Sequence, residues 1–381
     1  DESGITSFLL QWCRWLKRGH DADAMAYFAK LKPAVDVPSI HKLARNPLML
    51  TVLAMLHLRQ HGLSGQPTQL YEEIMDSLAE QAVDKQPEYS KDDRLSRFGY
   101  LALGMQQWRG GHKLQIGVDT AAALITLRGQ PLEPAQRFLE QTQIDGGFLT
   151  LRGGEIAFWH RSFQEYLTAR ALADFSDREL CEQARTFLYS PEGREVLPLL
   201  AGRMAGTTRK RLDDLFCELT RDALSQTKLE RRVHAIGVLG NMLADVVAAK
   251  YELSGPAVKQ FGELRETVMP IFEKGKTIGI GLKTRVDAAE AVDQTSPPRL
   301  RPPGDPDYWV EILGGTFTIG DPKAASSLPI QSVTVPTFRI GRFPVTVWEY
   351  MTYLEETNAA APQGWDEQGR HPSRPVVRVT W

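Results

Sequence analysis

The chain has 381 residues, with 45 Lys and Arg against 47 Asp and Glu for a formal net charge of −2. A length of this order accommodates about two to three domains. The near-neutral balance excludes a surface that is basic throughout for polyanion binding, and 42% hydrophobic against 24% charged residues excludes a disordered chain. No apolar run approaches the roughly 18 residues needed to cross a bilayer. Three cysteines, Cys13, Cys181 and Cys217, are far apart and form no CxxC pair, which fits buried or half-buried thiols in a reducing, cytoplasmic compartment. Asp1-Glu2-Ser3-Gly4 leads straight into a helical pattern without an initiator Met, so a piece of a longer protein is expected.

From Ile5 to about Leu300 the pattern is almost wholly helical. Phe8, Leu9, Trp12, Trp15 and Leu16 recur at helical spacing and predict one apolar face. Asn46-Pro47 opens a further helix, with Pro at a tolerated first-turn position. Leu48, Leu50, Val52, Leu53, Leu56 and Leu58 follow, too apolar all round for a surface helix. A break at Gly62–Pro67 precedes the helix of Leu70, Tyr71, Ile74, Met75 and Leu78. Beyond Asp92 three helices are expected, around Leu95–Leu103, Ala121–Leu127 and Pro134–Thr142. Then Phe148–Arg152 and Glu155–Trp159 flank Gly153-Gly154, a β-hairpin pattern. Three helices followed by a hairpin is the layout of a winged helix, and His160–Phe175 continues as a helix.

The helices beyond Asp177 are shorter. Leu229–Leu243 resembles one helix of a HEAT-type repeat, and Lys283–Val292 echoes it. Ser296-Pro297-Pro298-Arg299-Leu300-Arg301-Pro302-Pro303 reads as a stiff, extended linker. After it the grammar is β. Trp309–Ile312 and Thr316–Gly320 are expected to form a hairpin across Gly314-Gly315. Ser332–Val335 and Phe338–Gly341 alternate as strands, Val345–Glu355 is helical, and Pro375–Trp381 begins another strand.

Few residues carry obvious chemistry. These residues contain no GxxxxGK[ST] phosphate loop and no HExxH. Gly279-Ile280-Gly281 is a GxG fragment without strand–turn–helix context. His57 and His61 stand one helical turn apart with no third ligand. Arg209-Lys210-Arg211 and Arg231-Arg232 have acidic neighbours at Asp213, Asp214 and Glu230, as on a solvated helix face. His160 closes the hairpin and opens a helix, where backbone N–H groups favour an anion. From the residues alone it is either a helix cap packed near Trp159 or a phosphate ligand.

Two longer motifs add a resemblance. Leu43-Ala44-Arg45-Asn46-Pro47-Leu48-Met49-Leu50-Thr51-Val52-Leu53, followed by Leu70-Tyr71-Glu72, resembles the helical domain behind the ATPase core of NACHT-type STAND NTPases. Phe158-Trp159-His160-Arg161-Ser162-Phe163-Gln164-Glu165-Tyr166-Leu167 is similar to the end of that family's winged-helix domain. The resemblance implies that Pro47 packs on a nucleotide base and that His160 bonds a phosphate of ADP. The family's phosphate loop and Mg-binding strand precede this region, so the fragment itself is expected to be inactive, with no catalytic residue and no metal ligand of its own. Tyr308–Gly320, Phe343-Pro344-Val345-Thr346-Val347-Trp348-Glu349-Tyr350 and Pro375-Val376-Val377-Arg378-Val379-Thr380-Trp381 resemble the formylglycine-generating-enzyme family, a C-type-lectin-like fold. Enzymes of that family use cysteines in a later part, and other relatives are ligand-binding modules, some of them variable proteins of diversity-generating retroelements.

The expected fold is therefore mainly α followed by an incomplete α+β, C-type-lectin-like domain. Its parts are a helical domain (1–85), a winged helix (86–172), a HEAT-like spacer (173–295), a Pro-rich linker (296–307) and a lectin-like beginning (308–381). The expected role is the regulatory and sensor portion of a bacterial STAND signalling ATPase in defence or conflict, with ADP or ATP as cofactor and Mg in the parent protein. Expected partners are a protein or peptide ligand at the C-terminal domain and further copies on activation, with no role for membrane or nucleic acid. The alternatives are a formylglycine-generating-type oxidative enzyme with a helical regulatory region, and a non-catalytic scaffold displaying a variable domain.

Overall fold

The computed structural model describes residues 2–18, 20–60, 62–85, 88–108, 111–126, 132–145, 148–273, 275, 279–293, 304–320, 330–369 and 371–379. Its contacts divide it into two units, Asp1–Val292 and Asp293–Trp381. Among the described residues no helix is long and apolar enough to cross a membrane.

The first unit opens with α1 (Glu2–Leu16), α2 (Asp21–Asp36), α3 (Pro38–Ala44), α4 (Pro47–Gln60) and α5 (Pro67–Lys85). The buried stripe of α1 is Ile5, Leu9 and Cys13, spaced four apart. Trp15, expected on that face, is 73% exposed. The stripe is rotated because α1 packs chiefly on α2, and the compact Ile–Leu–Cys row permits a closer approach than a row of indoles. In α4 the expected all-round burial is largely present, with Met49, Leu50, Val52, Leu53, Ala54 and Leu56 out of solvent.

Next come α6 (Lys91–Gln106), β1 (Ile116–Gly117), α7 (Val118–Ile125), α8 (Leu132–Asp145), β2 (Leu149–Arg152), β3 (Glu155–Phe158) and α9 (Arg161–Ala173). Ser90 caps α6 by accepting from the Asp93 N–H at 3.1 Å. Strands β2 and β3 pair antiparallel from Leu149↔Phe158 to Arg152↔Glu155. Gly153 and Gly154 turn the hairpin with φ of +60° and +82°, the left-handed pair that a two-residue turn requires. The two-residue β1 adds to the outer edge of β3 with Ile116 opposite Ile156. Sequence periodicity cannot reveal a strand that short. The sheet order β1-β3-β2 with three helices around it is the topology of a winged helix. Gly99 of α6 lets α9 approach closely, since a Cβ there would lie 3.1 Å from the Ala171 Cβ.

The rest of the unit is α10 (Asp177–Leu188), α11 (Gly193–Thr207), α12 (Arg209–Ser225), α13 (Leu229–Ala248), α14 (Gly255–Val268) and α15 (Leu282–Asp293). Alternate helices pack together, α9 on α11 on α13 in one layer and α10 on α12 on α14 in the other. That is the arrangement of stacked helical pairs. Helix α15 joins the first layer, where Arg194 pairs with Asp287 and Gly237 leaves room for the Asp287 Cβ.

The second unit holds β4 (Trp309–Ile312), β5 (Gly315–Ile319), β6 (Gln331–Val335), β7 (Phe338–Gly341), α16 (Val347–Thr357) and α17 (Trp365–Gln368). The Pro-rich linker lies outside the described residues except for 304–307, where Asp305 caps a 3-10 turn through the Asp307 N–H at 2.9 Å. The expected β4–β5 hairpin does not form. Instead β4 pairs with β7 and β5 with β6, both antiparallel, as two nested ribbons. Gly314 serves a chain corner: its N–H donates to Thr337 Oγ1 at 3.0 Å. The expected terminal strand is likewise reduced to one bridge, Thr346↔Pro375. Val376 donates to the Val345 carbonyl at 2.9 Å, Val377 to Gln368 Oε1 at 2.9 Å, and Arg378 turns to φ +61°. Residues 380–381 of that run lie outside the described residues. Thr346 and Glu349 form a reciprocal capping box on α16. Tyr308, Thr346 and Val347 are buried, but Leu313, Phe317 and Ile340 are 76%, 50% and 53% exposed, so these ribbons present apolar side chains to solvent.

Candidate functional site

Pro47 begins α4 and is exposed. Asn46 caps the helix through its side-chain oxygen, which accepts from the Leu48 N–H at 2.9 Å and the Met49 N–H at 3.3 Å. Proline has no N–H to satisfy, so Asn46 needs to serve only the next two donors. The ring of Pro47 is thereby fixed on the surface at a helix start.

His160 caps α9 with an extended backbone, φ −142° and ψ 143°. Its Nδ1 accepts from the Ser162 N–H at 3.2 Å and lies 2.6 Å from Ser162 Oγ. An amide N–H can only donate, so Nδ1 carries the lone pair and Nε2 the proton. Burial lowers the imidazole pKa below its ordinary value of 6.5, which keeps the ring neutral near pH 7. Nε2–H has no protein hydrogen-bond partner among the described residues. The structure thus shows the capping role, and the same geometry leaves one donor available at the N-terminus of α9.

The residues around this cap connect the two motifs. Tyr71 of α5 stacks on Tyr166 of α9, with ring centroids 5.8 Å apart and planes at 26°. Burial pushes the Tyr71 hydroxyl pKa up to about 12. Arg203 of α11 donates to Glu72 at 2.7 Å and to the Tyr166 hydroxyl at 3.4 Å. Pro47 is not part of this cluster. Helix α5 packs on both α4 and α9 and is the element common to the two candidates.

The other candidates have structural roles. His57 is buried, with Nδ1 3.0 Å from the Tyr27 hydroxyl, and His61 lies outside the described residues. Arg211 binds Asp177 and the Ala173 and Phe175 carbonyls that end α9. Arg209 and Arg231 lie over the rings of Tyr251 and Tyr189. Gly281 lines an open cavity of about 450 Å³ with Tyr189, Lys228, Glu230, Arg231, His234 and Thr284. Glu2, Asp36 and His41 approach one another closely enough to suggest a cation site. The Lys32 ammonium already stands there, 2.7 Å from Glu2 and 2.6 Å from Asp36. All three cysteines are free, and burial raises each thiol pKa, so none is poised as a thiolate.

Ser162 and Tyr166 stand in the second motif without a role read for them, and sequence reading missed Arg203 and the fully buried Arg94. The Arg94 guanidinium lies 5.5 Å from the Tyr89 ring centroid and 5.9 Å from that of Phe138. The only available hint was a charged residue inside an otherwise apolar helix face.

The family model of the sulfatase-modifying factor enzyme 1-like domain matches residues 296–381. No curated protein matches the chain. The chain is therefore mostly helical with a small sheet-containing C-terminal region that matches this domain.

Proposed function

We propose that these residues form the regulatory and sensing part of a bacterial NACHT-type STAND signalling ATPase. One observation carries the reading: the continuation of the first motif, Tyr71-Glu72, packs directly on Tyr166 and Arg203, and the Nε2–H of His160 has no protein acceptor among the described residues. A phosphate oxygen of ADP fits that donor and the helix N-terminus around it. The phosphate cradle and Mg ligands belong to a preceding segment in this reading, because no GxxxxGK[ST] loop occurs here. Pro47 supplies a fixed apolar surface for the base.

The proposed mechanism is a two-state switch. ADP contacted by His160 stabilises the closed arrangement, and ligand engagement at the C-terminal domain favours the other state. The exposed apolar side chains of the two ribbons offer a contact surface for a protein or peptide ligand. The match to the sulfatase-modifying factor enzyme 1-like domain at residues 296–381 serves the alternative of a formylglycine-generating-type enzyme equally.

The test is ADP binding by the protein joined to its nucleotide-binding core. His160→Ala should loosen ADP and raise basal self-association, measured by calorimetry and sedimentation. Unchanged ADP affinity would sink the role.

A further inference from the structure

We propose that the cavity between the N-termini of α13 and α15 binds a small phosphate-bearing ligand, held by Lys228, Arg231 and the free amides of the two helix starts. This site is separate from the phosphate contact proposed at His160, and neither depends on the other.

Gly279-Ile280-Gly281 leads into one of these helix starts. Gly279 turns with φ +89°, Ile280 is 8% exposed, and Gly281 immediately precedes α15. A Cβ on Gly281 would meet only Thr284 Oγ1 within 4 Å, at 3.9 Å, so the backbone here borders open space. The first-turn N–H groups of Leu282, Lys283 and Thr284 have no protein acceptor among the described residues. The other helix start is that of α13. Lys228 is its N-cap and makes no side-chain capping bond, and the Leu229 and Glu230 N–H groups also lack a protein acceptor among the described residues. Arg231 lies 4.3 Å from the Tyr189 ring centroid. The Tyr189 hydroxyl donates to Asp222 at 2.6 Å, which fixes the ring beneath the guanidinium. The two helix starts converge because α15 is drawn onto its neighbours: Arg194 pairs with Asp287, and a Cβ on Gly237 of α13 would lie 2.9 Å from the Asp287 Cβ.

This lining suits an anion. Each helix start carries a partial positive charge. Together with Lys228 and Arg231, the two starts outweigh Glu230, the one carboxylate in the lining among the described residues. A volume of about 450 Å³ is in the range of small-molecule sites and exceeds a lone phosphate. Ile280 and the Tyr189 ring offer apolar surface to the organic part of such a ligand. His234, one turn further along α13, also lines the cavity. Its Nε2 is shut off from solvent and has no hydrogen-bond partner among the described residues. Buried polar atoms left in that state are rare, and a ligand oxygen in the cavity would supply the missing partner.

The experiment titrates inorganic pyrophosphate into the 381-residue chain at low ionic strength. Calorimetry measures binding, and a ¹⁵N-histidine sample follows the His234 ring signals, identified by their loss in H234Q. Saturable binding that moves those signals is expected. Lys228→Gln and Arg231→Gln should each weaken it about tenfold, and Glu230→Gln should tighten it about twofold to fivefold. Gly281→Asp is the sharper variant. Gly281 is not among the glycines with positive φ, and an aspartate at a helix N-cap accepts first-turn N–H groups and steadies the helix. G281D should therefore lose binding without a fall in Tm. Lys210→Gln on α12 removes the same charge outside the lining and should change nothing. Equal losses in K210Q and K228Q would show non-specific attraction and overturn the site. Absence of saturable binding, full binding in G281D, or binding that leaves the His234 signals unmoved would overturn it as well. Loss of binding in H160A with retention in K228Q and R231Q would place the anion at α9 and not in this cavity.

Discussion

Arg203 of α11 reaches Glu72 of α5 across 2.7 Å, joining the stacked helical pairs to the residue next to Tyr71. The Arg203 side chain is 14% exposed and that of Glu72 is 39% exposed. The carboxylate is therefore partly screened by water, and the ion pair alone contributes little. Most of the value of Arg203 lies in packing and in its bond to the Tyr166 hydroxyl. Arg203→Ala should lower stability by about 1–3 kcal/mol, read as a shift in the urea midpoint. Glu72→Gln should cost less than about 1 kcal/mol, because it keeps an acceptor in place. Equal losses in the two variants would assign the effect to charge instead.

The His160 cap makes stability depend on pH in a defined direction. Burial depresses the folded-state pKa of this base below the unfolded value of about 6.5. The unfolded chain then binds more protons below that pH, so the contribution is full above about pH 6.5 and is lost as pH falls from there through the lower folded-state pKa. His234 acts in the same direction, its pKa lowered by burial and by the nearby Arg194. The His160 share is isolated by His160→Asn, since asparagine caps a helix without titrating. Between about pH 7.5 and 5.5 the wild type should lose more unfolding free energy than H160N, measured by urea titration at each pH. His160→Ala should cost about 1 kcal/mol even at the higher pH.

Stability and ligand contact separate at the start of α4. Asn46→Ala removes the acceptor for two backbone N–H groups and should cost about 0.5–2 kcal/mol. Pro47→Ala removes an exposed ring at the first helical position, where the missing N–H had no partner to lose. Its effect on the melting curve should stay within about 0.5 kcal/mol. If the ring packs on a nucleotide base, P47A weakens ADP binding while N46A acts through folding. A P47A variant that melts normally and binds ADP normally would remove Pro47 from the site.

The readable parts of this fold are those governed by local rules. Asn46-Pro47 fixes a helix start within its own turn, and Gly153-Gly154 fixes a hairpin because few other residues tolerate two positive φ values. His160 was legible as a cap for the same reason. The Tyr71–Tyr166 stack was not, because nothing in either helix pattern states which distant ring will lie opposite. The α1 stripe shows a similar limit: several apolar rows exist on one helix, and α2 decides that Ile5, Leu9 and Cys13 face inward. Strand pairing in the second unit was misread because Gly314-Gly315 satisfies the composition of a hairpin turn without adopting its backbone.

That last distinction can be tested by substitution. Neither Gly314 nor Gly315 is among the described glycines with positive φ, so neither is required for a left-handed turn. Gly314 is required for a different reason. A Cβ there would lie 2.5 Å from the Thr337 nitrogen, 2.6 Å from the Val335 oxygen and 2.7 Å from the Pro336 carbonyl carbon. All three are backbone atoms at the opposing corner, which cannot move aside as a side-chain end can. A Cβ on Gly315 would meet only the Phe317 ring, at 3.4 Å. Gly314→Ala should therefore destabilise the ribbons by about 1–3 kcal/mol, whereas Gly315→Ala should change stability by less than about 0.5 kcal/mol. Both can be read from the thermal loss of the Trp309 indole N–H resonance, identified by its absence in W309F. A two-residue hairpin turn would instead make both alanines costly. Equal sensitivity at the two positions would thus contradict the nested pairing of β4 with β7 and β5 with β6.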